Sequence, residues 1–74
     1  MNMEVVTMRL MRQEQGKTMK ETALKLGIGE SYYCLIEQGR RKPSAKLRKR
    51  MERYFGSSYE ELMATVGIKV PAMN

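Results

Sequence analysis

The sequence predicts an all-α domain of five short helices with a helix-turn-helix at its centre. Three observations carry this prediction. Gly16, Gly27, Gly39, Gly56 and Gly67 each follow a segment of helical pattern, where a glycine takes the left-handed conformation that ends a helix without a side-chain clash. Thr18 with Glu21, and again Ser58 with Glu61, have the capping-box form in which two side chains satisfy orphan N–H groups at a helix start. Leu47, Met51 and Phe55 fall at i, i+4 and i+8, one face of a helix.

The first helix is expected over 6–15 and ends at Gly16. The second runs over 19–26 behind the Thr18 cap, with Ala23 and Leu26 facing inward and Gly27 closing it. Ala23 has to be small, because two helices that cross steeply after a three- or four-residue turn bring their backbones close. Ile28 fills the corner, Gly29 serves as an N-cap, and the third helix covers 30–38 with Tyr33 and Ile36 inward. Ser44 caps a fourth helix over 45–55, whose apolar stripe is expected to bury against the first and fifth. The fifth covers 59–66. Val5–Val6 and Ile68–Lys69–Val70 are short β-prone pieces that either pair with each other, support a dimer or stay disordered. The chain reads as a single domain, 1–74, with a helical core at 7–66, the helix-turn-helix proper at 18–39 and a flexible tail at 67–74.

Composition narrows the function classes. A chain of 74 residues with 42% hydrophobic and 30% charged residues is one small domain near the lower size limit for folding without disulfides or metals. Eight methionines supply flexible gap-filling in its core. No apolar run approaches the ~20 residues of a membrane span, and the start of the chain lacks a basic segment followed by an apolar one, so the expected location is cytoplasmic. Cys34 is the lone cysteine and there is no histidine. A zinc cluster, a histidine-based triad and an internal disulfide are therefore not expected, nor is a cofactor or an enzymatic activity.

Charge is concentrated in one place. Arg40, Arg41, Lys42, Lys46, Arg48, Lys49, Arg50 and Arg53 stand against the lone Glu52, so the formal net charge of +6 is essentially that of residues 40–53. Such a face attracts a polyanion, DNA phosphate being the commonest, unless it is merely a solvated helix surface.

Thr18, Ala23, Leu26, Gly27, Ile28, Ile36, Glu37 and Gly39 resemble the helix-turn-helix of the lambda Cro and phage-repressor (Xre-type) family. Met8, Met11, Arg12 and Gly16 are similar to its first helix. The run RRKPS from Arg40 to Ser44, then Leu47, Met51, Phe55, Gly56, Ser58, Glu61 and Leu62 resemble its last two helices. The resemblance spans roughly residues 7–63 and holds one register across five predicted helices, a far more specific signal than an isolated helix-turn-helix. It implies a compact lambda-repressor-like DNA-binding fold with the third helix in the major groove and the basic loop along the DNA backbone. It also implies a partly buried Arg12–Glu37 ion pair behind the recognition helix, with a structural role.

The DNA-binding set implied is Thr18, Met19, Gly29, Glu30, Ser31, Tyr32, Cys34, Leu35, Gln38, Arg40, Arg41, Lys42, Ser44 and Lys46. Ser31 and Gln38 can donate and accept hydrogen bonds, Glu30 can accept from a cytosine amino group, and Tyr32 or Leu35 can touch a thymine methyl. Equally, Tyr32 or Leu35 can fold back onto the core. This face has no Arg, Lys or Asn. It departs from the family, in which the position of Leu35 is commonly polar and that of Met19 commonly Gln. Cys34 is either a small interface residue or a redox sensor, although Glu30 and Glu37 are not neighbours that activate a thiol. Tyr54 and Tyr59 are either phosphate donors or amphipathic packing at the core edge.

The expected function is a sequence-specific double-stranded DNA-binding transcriptional regulator, a repressor of phage or mobile-element type, acting as a homodimer on a pseudo-palindromic operator. The alternative is a protein-interaction adaptor or anti-repressor that keeps the fold and presents Met19, Tyr32, Cys34 and Leu35 to a protein partner. No membrane partner is expected.

Overall fold

The computed structural model describes residues 2–69. The elements run β1 (Asn2–Val6), α1 (Thr7–Glu14), α2 (Met19–Leu26), α3 (Glu30–Glu37), α4 (Ala45–Phe55), α5 (Tyr59–Met63) and β2 (Thr65–Lys69). Among the described residues there are five helices. The expectation of a purely α-helical domain is corrected by the two strands, which pair antiparallel with Val6 opposite Thr65 and Asn2 opposite Lys69.

The same pairing corrects the end of the fifth helix, which stops at Met63 and not at residue 66. Ala64 turns extended, with ψ 131°, and the run Thr65, Val66, Gly67, Ile68 enters the ladder, where β-branched side chains fit a pleated surface better than a helix. Gly67 accordingly sits inside β2 and terminates no helix. Of the expected flexible tail, 67–69 belong to β2, and 70–74, including Val70 of the β-prone piece, lie outside the described residues.

Sheet and helices are joined at one point. The Thr7 backbone N–H and its hydroxyl both donate to the Ala64 carbonyl, at 2.9 and 2.8 Å, so the start of α1 is tied to the chain leaving α5. Val6 joins the core, while Met3, Val5, Val66 and Ile68 occupy the other face of the sheet by their register.

The helix-turn-helix closes as its local chemistry dictates. The Glu21 N–H donates to the Thr18 hydroxyl and the Thr18 N–H donates to the Glu21 carboxylate, both at 3.0 Å, forming the reciprocal capping box. Hydrogen bonding by the Thr18 backbone N–H, and then by the Thr18 side chain, holds the Glu21 carboxyl below its ordinary pKa. Gly27 ends α2 at φ 74°, and a Cβ there would stand 3.4 Å from the Arg50 guanidinium. Gly29 enters α3 in an extended conformation. Ser44 caps α4 by accepting from the Leu47 N–H at 3.2 Å. Ser58 accepts from the Glu61 N–H at 3.2 Å, but the reciprocal half of that second box is absent. The Glu52 carboxylate instead takes the Tyr59 N–H at 2.7 Å.

The core gathers Met8, Ala23, Leu26, Tyr33, Ile36, Leu47, Met51, Phe55 and Leu62 with Val6. α4 packs most closely on α5 and α2, so α2 takes the place expected for the first helix. Tyr54 and Tyr59 both lie against this core, the packing alternative for those two residues.

Ala23, at 1% exposure, sits where α2 meets α3. Ala23→Leu is expected to overpack this contact and cost about 1–3 kcal/mol, read as a lower midpoint in urea or thermal unfolding. An unchanged midpoint would show that the two helices are not in close contact there.

Candidate nucleic-acid interface

α3 is oriented from behind. Tyr33, Ile36 and Glu37 are its buried residues, which turns Glu30, Ser31 and Gln38 outward as exposed residues and leaves Tyr32, Cys34 and Leu35 half-buried on the flanks. Behind it, Arg12 of α1 donates from Nε to Glu37 Oε2 and from Nη2 to Glu37 Oε1, both at 2.9 Å. Its third nitrogen, Nη1, donates to the Lys17 carbonyl at 2.9 Å. One guanidinium thus fixes α1, the entry to α2 and the C-terminal end of α3 together, using the planar fork that a lysine lacks. The Glu37 hydrogen bonds raise the Arg12 pKa against the opposing effect of burial. Beside this pair the Tyr33 hydroxyl is buried without a hydrogen-bond partner among the described residues. Burial, reinforced by the neighbouring Glu37 carboxylate, raises the Tyr33 phenol well above its ordinary pKa.

The cations of residues 40–53 divide into two groups. Arg48 donates to the Pro43 carbonyl at 3.3 Å and lies over the Tyr59 ring at 4.6 Å. Arg50 donates to the Leu26 carbonyl at 3.1 Å, satisfying a C-terminal carbonyl of α2 beside the turn. Both therefore serve the fold. Arg40, Arg41, Lys42, Lys46, Lys49 and Arg53 are exposed and, among the described residues, their side chains enter no hydrogen bond or ion pair within the chain. Pro43 is buried and anchors the loop that carries Arg40, Arg41 and Lys42 directly from the end of α3.

Thr18, Gly29 and Ser44 are exposed N-cap residues, with the two hydroxyls already accepting backbone N–H groups. Met19 and Tyr32 are half-buried and pack against the core, whereas Leu35 stays outside the core cluster. Met19, Glu30, Ser31, Cys34 and Leu35 line a groove of about 370 Å³ along α3. The Gln38 amide donates to the Cys34 sulfur at 3.2 Å. Sequence reasoning missed the internal duties of Arg48 and Arg50, and also a contact in which the Arg41 guanidinium lies 5.4 Å from the centre of the Tyr32 ring. No spacing rule links these pairs, which meet only through the packing of α4 and the loop before it.

An eight-residue helix braced by a buried ion pair, entered through a tight turn and followed by a loop of exposed cations, defines a helix-turn-helix domain. A helix-turn-helix family profile matches residues 8–62, and the chain belongs to this family, of the Cro and C1 type, whose members are DNA-binding regulators. A search of curated proteins found no match. Among the described residues no helix is long and apolar enough to cross a membrane.

Two predictions follow from the brace. Arg12→Met leaves Glu37 buried without its two donors and is expected to cost about 3–5 kcal/mol. The double change Arg12→Met with Glu37→Met is expected to recover much of that loss in urea unfolding; no recovery would show that the pair does not act as a unit. For Tyr33, the folded protein keeps a phenolic proton that the unfolded chain releases near its ordinary pKa of 10.0. Its stability contribution is complete below that pH and declines as pH rises through and beyond it. Tyr33→Phe should therefore flatten the fall in melting temperature between about pH 9 and 11, without destabilising the protein at neutral pH, since it removes an unpaired hydroxyl.

Proposed function

We propose that this protein is a sequence-specific double-stranded DNA-binding transcriptional regulator, a repressor of the kind found in phages and mobile elements, that acts in the cytoplasm without a cofactor. The observation that carries the reading is the row of exposed cations, Arg40, Arg41, Lys42 and Lys46, that begins where α3 ends. α3 enters the major groove, where Ser31, Gln38, Glu30 and the flank of Leu35 meet base edges, while Arg40, Lys42, Lys46 and the N-terminal ends of α2, α3 and α4, at Thr18, Gly29 and Ser44, lie along phosphates. Cys34 and Met19 contribute small and apolar contact beside them.

The regulator acts as a homodimer on a pseudo-palindromic operator. The outer edge of β2 supports this, because a two-stranded sheet is marginal alone. A second copy paired antiparallel about Gly67 would set Val66 opposite Ile68 with no like charges facing. The half-buried groove of Met19, Cys34 and Leu35 favours a second reading, an adaptor or anti-repressor that offers α3 to a protein.

Titration of duplex DNA at increasing salt tests the reading. Affinity is expected to fall with a log–log slope of about −0.9 per neutralised phosphate, at a stoichiometry of two chains per selected site. Lys42→Ala or Lys46→Ala should weaken all duplexes about equally and reduce the slope by about 1, whereas Ser31→Ala or Gln38→Ala should change the preference among sequences. Failure to bind any duplex at low salt, with capture of a protein partner lost on Leu35→Ala, would replace the DNA reading with the adaptor one.

A further inference from the structure

We propose that Tyr32 and Arg41 act as one reading unit, in which the Tyr32 ring holds the Arg41 guanidinium against the flank of α3 so that a loop arginine recognises a guanine. The inference rests on the DNA-binding reading above and adds a specificity-determining residue and its positioning partner. Two observations carry it. The outward side of α3 holds no Arg, Lys or Asn, so the helix by itself lacks the planar cationic fork that reads guanine O6 and N7. Arg41 alone among the exposed loop cations Arg40, Arg41 and Lys42 has an aromatic partner on that helix, with its guanidinium carbon 5.4 Å from the Tyr32 ring centre.

The contact is of the right kind for positioning. Tyr32 is half-buried and packed against the core, so the ring is a fixed platform, and Pro43 anchors the loop two residues beyond Arg41. A guanidinium attracted to a ring face satisfies none of its N–H donors by that contact. Among the described residues Arg41 makes no hydrogen bond or ion pair, unlike Arg12, Arg48 and Arg50. Its side chain is thus restrained in place while its five donors stay available. Lys42 and Arg40 have no such restraint and suit phosphate, which needs charge more than orientation.

The test uses the full chain and a randomised-duplex selection, followed by titration of the selected site and its single-base variants. Wild-type protein is expected to discriminate against replacement of one guanine per half-site by about fivefold or more. Arg41→Lys keeps the charge and should keep the salt slope, but lose that discrimination. Tyr32→Phe retains the ring face and should retain it. Tyr32→Leu should behave like Arg41→Lys, and its melting temperature separates lost positioning from lost fold. An Arg41→Lys protein with the wild-type base profile, or a Tyr32→Leu protein that folds and keeps it, would overturn the proposal while leaving DNA binding intact. Absence of any duplex binding by the wild-type chain would instead overturn the reading on which it rests, and the proposal with it.

Discussion

The Arg12 guanidinium is the constraint on which the arrangement of this small domain depends. Three of its nitrogens reach Glu37 and the Lys17 carbonyl, so α1, the entry to α2 and the end of α3 are fixed by one planar group. Burying both charges costs much of what their attraction returns, and a buried ion pair contributes orientation more than net stability. Orientation is what α3 needs. With eight residues and a glycine N-cap that makes no side-chain hydrogen bond, it has little intrinsic stability, and rotation about its axis would replace Ser31 and Gln38 on the outer surface with buried groups. The fully buried Tyr33 and Ile36 hold it by packing, and Glu37 fixes its C-terminal end.

A second constraint is closure of the chain ends. Five short helices leave the start of α1 without a side-chain cap, and the Ala64 carbonyl takes over both donors of Thr7. This bond is available only because α5 stops at Met63 and the chain turns extended. β2 then returns alongside β1 and buries Val5 and Val6 at the junction. The strands are therefore part of the domain's closure as much as an appendage to it.

Local chemistry was readable from the residues, and long-range pairing was not. The Thr18–Glu21 box, the left-handed turn at Gly27, the small Ala23 and the stripe of Leu47, Met51 and Phe55 each follow from residues within one or two helical turns. The two β-prone ends were visible as Val5–Val6 and Ile68, but their pairing joins opposite ends of the chain, and no local pattern distinguishes it from a dimer contact or disorder. For the same reason Thr65 and Val66 passed as a last helical turn. In the basic segment, position along the chain marks a run of cations but does not sort them. Arg48 and Arg50 are of the same residue type as Arg40 and Arg41, and only the packing of α4 on α2 and α5 gives the first two internal partners.

Glu30 completes the electrostatic logic of the interface under the DNA-binding reading. It stands in the first turn of α3, where a carboxylate is stabilised by the helix dipole and compensates in part for the weak Gly29 cap. A carboxylate on a helix that enters a groove also repels phosphate, and no cation on α3 opposes it. The outward side chains of such a helix add nothing to attraction for DNA of arbitrary sequence. Attraction under that reading comes from the loop after α3 and the start of α4, where Arg40, Lys42 and Lys46 are exposed, and discrimination comes from side chains whose contacts need a matching base edge, Arg41 of the same loop among them. Glu30 then serves discrimination on α3 under that reading, while Arg40 and Lys42 of the loop hold the backbone and Arg41 is set apart from them by its contact with Tyr32. Under the DNA-binding reading, the carboxylate that stabilises the start of the helix also adds to selectivity.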